Sequence, residues 1–203
     1  MPQKGDRRKQ QIIDAAKEMF LEKGYQSTHI GQVCEKLDIA RGTVYQYFNN
    51  KKEILFTLVD AVAERVREVL NNDLLRDYLS QKPEKEDVIN FMKKRISSSI
   101  EVILSEPIII KLIFKDIPGI DSKIIKHVAN TIEDIRSIMA EEITELKANN
   151  FFRDSLDPLI TSSILLGGVM LIIYEYDKAG KDVLKIEVID SIVKNYMNGV
   201  LNL

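Results

Sequence analysis

Between Ala40 and Lys52 the chain places Arg41, Gly42, Thr43, Tyr45, Gln46, Tyr47, Lys51 and Lys52, and no carboxylate. These side chains suit a polyanion. A guanidinium reads guanine O6 and N7 in a bidentate way, and tyrosine, threonine and lysine donate to phosphate oxygens. Gly42 costs a helix about 1 kcal/mol against alanine. A close backbone approach to a large partner would offset that cost, while a plain turn glycine is the simpler alternative. Val44 and Phe48 are spaced by four and can turn inward. Thr43, Tyr47 and Lys51 share another face at the same spacing. Tyr45 and Tyr47, two positions apart, cannot both enter one core. Thr28 offers either a helix cap or a phosphate contact.

Other chemistry is not suggested. His29 and His127 are far apart and have no Cys or carboxylate at ligand spacing. The single cysteine, Cys34, falls on an apolar stripe, where packing is its expected role. No Ser/His/Asp or Cys/His set and no glycine-rich phosphate loop stands out. The expectation is a chain without catalytic residues, metal or cofactor.

The elements that must hold these groups follow from periodicity. Ile12, Ala16, Met19 and Phe20 mark a first helix that Gly24 should stop. Ile30, Val33, Cys34 and Leu37 mark a second of about two turns. Asp38 to Ala40 then connect it to the carboxylate-free stretch, at the spacing of a helix-turn-helix. A fourth helix starts near Lys52, with Asn71 to Asp73 fraying or bending its end. Further helices are expected over about 86–104, from Pro107 through Phe114, over about 122–147, from Pro158 to about 176, and over about 184–201, with a turn at Ile117–Asp121. The count is about nine, with no repeats.

Composition fits a globular chain: 203 residues, 45% hydrophobic and 30% charged, with few glycines and prolines. One cysteine excludes an internal disulfide framework and is compatible with a reducing cytosol. The N-terminus has no apolar signal-like core, so a cytoplasmic location is expected. The longest uncharged run, Leu159 to Tyr174, falls short of the roughly 20 residues that span a bilayer and reads as a buried helix, with no membrane partner. Net charge is −2, but residues 1–52 carry +4 and residues 53–203 carry −6. A basic head on an acidic body suits an anionic partner for the head.

The run GYQSTHIGQVCEKLDIARGTVYQYFNNKKEIL, residues 24–55, resembles the DNA-binding region of the TetR family of bacterial transcriptional regulators. The resemblance rests on Gly24-Tyr25, Thr28, Val33-Cys34, Ile39, Gly42-Thr43, Tyr45, Tyr47-Phe48, Lys51 and Glu53-Ile54-Leu55. With the first helix it covers about 45 residues. FFRDSLDPLITSSILLGG resembles the lead into the family's dimerisation helices. Asp38 stands where a turn glycine is common, Ala40 where a capping serine is, and Leu37 where alanine is usual. Asp38 tolerates the left-handed conformation, which would preserve the turn.

The resemblance implies an all-α homodimer. Residues 1–52 would bind double-stranded DNA, a palindromic operator, through Thr28, Arg41, Gly42, Thr43, Tyr45, Gln46, Tyr47 and Lys51. Residues 53–203 would bind an effector and dimerise, and effector binding would release a repressor. Phe91, Phe114, Met139, Leu166, Met170 and Tyr174 lie on apolar stripes that can line a cavity or simply form core, with Arg95 a candidate for orienting a ligand. An apolar lining favours a small hydrophobic effector. Dimerisation falls to the last two helices: Ser163, Gly167 and Gly168, whose small side chains permit close approach, with Ile189, Val193 and Met197. The competing reading is an all-α small-molecule carrier or enzyme whose head only resembles a DNA-binding unit.

Overall fold

The computed structural model describes residues 4–114 and 121–201. Of the turn expected at Ile117–Asp121, all but Asp121 lies outside the described residues. These residues form ten helices: α1 Lys4–Lys23, α2 Ile30–Leu37, α3 Arg41–Tyr45, α4 Lys51–Val69, α5 Asn72–Ser80, α6 Lys85–Leu104, α7 Pro107–Phe114, α8 Ser122–Ala148, α9 Pro158–Lys178 and α10 Ile186–Val200. Among them the only β pairing is an isolated antiparallel bridge, Phe152 to Leu201. The all-α class is as expected, with one helix more than the sequence separates. Asn71 does not fray α4 but caps a new helix, its side chain accepting from the Asp73 N–H at 2.9 Å.

Local chemistry sets the boundaries. Gly24, at φ +81°, closes α1 in a conformation that costs a side-chain-bearing residue strain. Asp157 accepts from the Ile160 N–H at 2.8 Å, and Pro158 takes the first position of α9, where a missing N–H costs nothing.

Contacts divide the chain into two units, and not by one cut at 52/53. One comprises Met1–Val62 with Glu106–Ala129. The other comprises Ala63–Ser105 with Asn130–Leu203. The first therefore contains α1 to α3, most of α4, α7 and the start of α8. In it α1 packs on α2 and α7 around Ile12, Ala16, Phe20, Ile108 and Ile110. Lys111 Nζ donates to the Leu21 carbonyl at 2.6 Å, and Lys17 pairs with Glu106 at 3.1 Å. In the second unit α6 packs on α9 and α10 around Met92, Ile100, Ile143, Phe152 and Ile173.

Helix α9 is not the buried helix the sequence suggests. Thr161, Ser162, Leu165 and Ile173 turn inward, but Ile160, Ile164 and Leu171 are 62%, 68% and 53% exposed. The helix is apolar on more than one side, so one chain covers only part of it. By length and composition alone it is long and apolar enough to cross a membrane.

Candidate nucleic-acid interface

Helices α2 and α3 form a helix-turn-helix whose turn depends on Asp38. Its backbone is left-handed, φ 50° and ψ 53°, and its N–H and that of Ile39 close onto Glu35 and Cys34 at 3.2 and 3.0 Å. An aspartate is one of the few residues that does this at low cost. At the start of α2, His29 is the capping residue, and the Gln32 side chain reaches back to its N–H at 2.9 Å. Ala40 precedes α3 with no side-chain cap, as expected. Helix α3 is accordingly short, and Val44 and Phe48, 0% and 3% exposed, anchor it to the core.

That anchoring turns the other face outward. Arg41, Gly42, Tyr45 and Gln46 are exposed, and Thr43 and Tyr47 are half-buried. A β-carbon added at Gly42 would meet nothing within 4 Å. The glycine is thus not required by its neighbours in the chain. At Gly31 a β-carbon would stand 2.8 Å from the Arg41 guanidinium, the far end of an exposed side chain that can swing aside. Sequence reasoning missed this glycine, which leaves room for Arg41 against the first turn of α2. Only the fold brings the two together.

Two expected donors have other partners. Thr28 is fully buried, and its hydroxyl donates to the Gly24 carbonyl at 2.9 Å and lies 3.3 Å from that of Met19. It braces the α1–α2 turn and its side chain is not available to a ligand. The Lys51 ammonium donates to the carbonyls of Tyr25, Gln26 and Thr28 at 2.7, 3.0 and 2.8 Å, and stands 4.4 Å from the Tyr25 ring centroid. All three of its N–H bonds are thereby used. Burial pulls the Lys51 ammonium below its ordinary pKa. Burial, then the nearby Asp121 charge, pushes Tyr25 up to about 12. Lys51 therefore pins the start of α4 to the turn that leads into α2. The polar break before it is a cap: Asn50 Oδ1 accepts from the N–H groups of Lys52 and Glu53 at 3.0 and 3.1 Å, while Glu53 accepts from the Asn49 N–H at 2.9 Å. Those bonds from Asn49 hold the Glu53 carboxyl below the usual range. Lys52 pairs with Asp121.

The histidines and the cysteine have local settings. His127 Nε2 lies 2.7 Å from Asp60, and its ring stacks on Phe56. Cys34 is buried and in no disulfide. Among the described residues no group of three or more His, Cys, Asp or Glu could hold a metal.

In the second unit the expected ligand residues are only partly brought together. Phe91 stacks on Tyr78 at 4.5 Å and lies beneath Arg95. Arg95 does not face an open site. It is 5% exposed, bonds Glu142 at 2.5 Å and the Asn71 carbonyl at 3.2 Å, and thus ties α6 to α8 and to the start of α5. Burial raises the Glu142 carboxyl despite the guanidinium beside it. Met139, Leu166, Met170 and Tyr174 are half-buried, and Phe114 belongs to the other unit. None of these residues lines the open groove of about 550 Å³ between α9 and α10, whose walls include Ile164, Gly168, Tyr176, Ser191 and Tyr196.

The expected dimer residues separate into two groups. Ser163, Gly167 and Gly168 are exposed. Ile189, Val193 and Met197 are 3%, 4% and 3% exposed and belong to the chain's own core, because α10 presents that stripe inward in the unit where it packs on α6. An apolar period shows that a face is covered, not by which chain.

A family model described as bacterial regulatory proteins, tetR family, matches residues 12–58. The fatty acid metabolism regulator protein of Bacillus subtilis is 44% identical over 48 residues, which is 24% of this chain and 25% of that protein. The matched part of the chain thus spans about a quarter of that relative. Two solved structures share the fold over nearly the full length. The fatty acid degradation regulator FadR of Bacillus halodurans has a TM-score of 0.75 at 18% identity, covering 95% of each chain. FadR of Bacillus subtilis in complex with stearoyl-CoA has a TM-score of 0.72 at 18% identity, covering 94% of this chain and 98% of that one. The helix-turn-helix region, residues 12–58, is thus similar to that of the tetR family of bacterial regulatory proteins, and the chain shares its all-α fold with these solved structures.

Proposed function

We propose that this protein is a transcriptional regulator, most simply a repressor, that binds a palindromic operator as a homodimer and responds to a small hydrophobic effector. The observation that carries the reading is the outer face of α3. There and on the turn that follows it, Arg41, Thr43, Tyr45, Gln46 and Tyr47 stand without a carboxylate from Ala40 to Lys52, held by buried Val44 and Phe48. Arg41 supplies base readout, Tyr45, Tyr47 and Thr43 supply phosphate donors, and Gly42 admits the sugar-phosphate backbone. Lys51 acts by fixing the turn before α2, and Thr28 by bracing it.

Dimerisation is assigned to the uncovered side of α9, with Ile160, Ile164, Leu171 and the small residues Ser163, Gly167 and Gly168. Ile186, 64% exposed at the start of α10, extends it. A second copy covers this apolar side and closes the groove. The effector reading rests on the apolar, half-buried Phe91, Met139, Leu166, Met170 and Tyr174. It rests too on the stearoyl-CoA bound by a relative of the same fold. The carrier and enzyme alternatives leave the carboxylate-free face of α3 without a purpose.

The test begins with selection of bound duplexes from a random pool, followed by gel shift of the recovered sequence. A palindrome with half-sites about one helical turn or a multiple apart is the expected result. Stearoyl-CoA is then titrated into the complex. Release of DNA supports the effector class, and reciprocity requires operator to weaken stearoyl-CoA binding by the same factor. Recovery of no enriched sequence would refute the regulator reading.

A further inference from the structure

We infer that Gly31, in the first turn of α2, is a specificity-determining residue of the recognition surface. It touches no base itself. It seats the Arg41 side chain, so that the guanidinium is aimed before DNA arrives. The inference deepens the DNA-binding reading above and rests on it.

A glycine weakens a helix relative to alanine, so one inside a helix of eight residues calls for a reason. Backbone conformation is not the reason. The positive-φ glycines among the described residues are Gly24 and Gly180, and Gly31 does not share their torsions. The reason lies above its α-carbon. A β-carbon there would stand 2.8 Å from Nη2 of Arg41, 3.5 Å from Cζ and 3.6 Å from Nε. The three nearest atoms thus all belong to one guanidinium. A 2.8 Å approach is shorter than real β-carbons show, so an alanine at position 31 turns the flexible Arg41 side chain out of its seat.

Electrostatics does not hold Arg41 there. It has no acceptor or ion-pair partner among the described residues. The N-terminal end of a helix carries partial positive charge, which does not attract a cation. Shape holds it. The Asp38 turn leads from α2 into α3, whose first residue is Arg41, and bare Gly31 lets the fork lie against the neighbouring helix.

Such a seat matters for base readout. A bidentate contact to guanine O6 and N7 aligns two N–H bonds, and a binding constellation must be held within about 0.5 Å and 10–20° of its productive geometry. A free arginine spreads over many rotamers and gives up that freedom on binding. A guanidinium already resting on Gly31 gives up less, and its direction selects the base pair it meets. Gly31 therefore acts on sequence preference and leaves phosphate contacts alone.

Gly31→Ala, Arg41→Ala and the double variant are compared by competition anisotropy. The competitors are the selected duplex, duplexes altered at one base pair at a time in each half-site, and a random duplex. Arg41→Ala should cut discrimination at one base pair by about 5- to 150-fold. Gly31→Ala should cut discrimination at that same base pair by about 5-fold or more, with random-duplex affinity unchanged. Its melting temperature should stand at or above wild type, because alanine is the better helix former. The double variant should be no worse than Arg41→Ala, since an unseated side chain and an absent one read alike. Wild-type preference in Gly31→Ala overturns the inference. So does an equal loss on every duplex, which marks a methyl colliding with DNA. A loss that persists undiminished in the Arg41→Ala background also overturns it, because it marks a structural role. If Arg41→Ala itself leaves every preference unchanged, the reading of α3 fails first, and this inference falls with it.

Discussion

The two units use charge in opposite ways. In the second unit Arg95 and Glu142 are sealed together, each 5% exposed, and Arg95 also donates to the Asn71 carbonyl before α5. In the first unit Arg7, Arg8 and Arg41 meet no acceptor among the described residues. The same side chain is a brace in one place and an unspent donor in the other. What decides is solvation. A guanidinium inside a helical bundle must find a carboxylate, whereas one at the surface can stay hydrated until an anion arrives. Lys51 shows that residue type and family position do not settle the matter. It sits where a phosphate donor is expected and yet braces three carbonyls.

The contrast breaks most readily at the buried pair. Arg95→Met leaves Glu142 without its counter-charge, and the loss should be about 3–5 kcal/mol in urea unfolding. The sign of its pH dependence follows. Burial already raises the Glu142 carboxyl in the folded chain, and removing Arg95 raises it further. The variant's stability is then fully present below the unfolded carboxyl value of about 4.3 and is lost as pH rises through the folded one. Arg95→Met should regain stability as the buffer is taken from pH 7 toward pH 5. A variant equally stable across that range would show that Glu142 has found another partner.

Lys51→Arg sharpens the comparison from the other side. A planar fork cannot seat in three converging carbonyls as a tetrahedral ammonium does. The expected loss is about 1.5–3 kcal/mol of stability, the worth of hydrogen bonds to a charged group. The salt slope of DNA binding should not change. Full retention of stability together with a changed slope would return Lys51 to the phosphate contacts.

Arg41→Ala should cost about 1–3 kcal/mol per half-site on the selected sequence and relax preference at one base pair, with thermal unfolding untouched because Arg41 has no acceptor among the described residues. Equal preference before and after the change, read from competition gel shifts, would move the recognition face elsewhere.

The smallest expected effect is the most diagnostic. Gly42→Ala meets nothing within 4 Å and removes a poor helix former, so the free protein should gain about 1 kcal/mol. DNA binding should fall all the same, since the new methyl stands where the duplex approaches. A variant that is both more stable and equally tight would make Gly42 a plain helix glycine.

The sequence alone determined the described helices other than α5, because period, caps and breakers are local. Gly24, Asp38, Asp157 and Pro158 each perform at their own positions the work that their chemistry dictates. It also determined the outward face of α3, because inward Val44 and Phe48 leave no other option. It could not say which apolar stripe meets which surface. Ile189, Val193 and Met197 have the same period whether covered by α6 or by a second chain, and α9 reads as core although one chain leaves Ile160 and Ile164 bare. Nor could it pair Arg95 with Glu142, Lys51 with the carbonyls of the α1–α2 turn, or Gly31 with Arg41. Those partners are separated along the chain, and only tertiary structure brings a donor to the acceptor it will use.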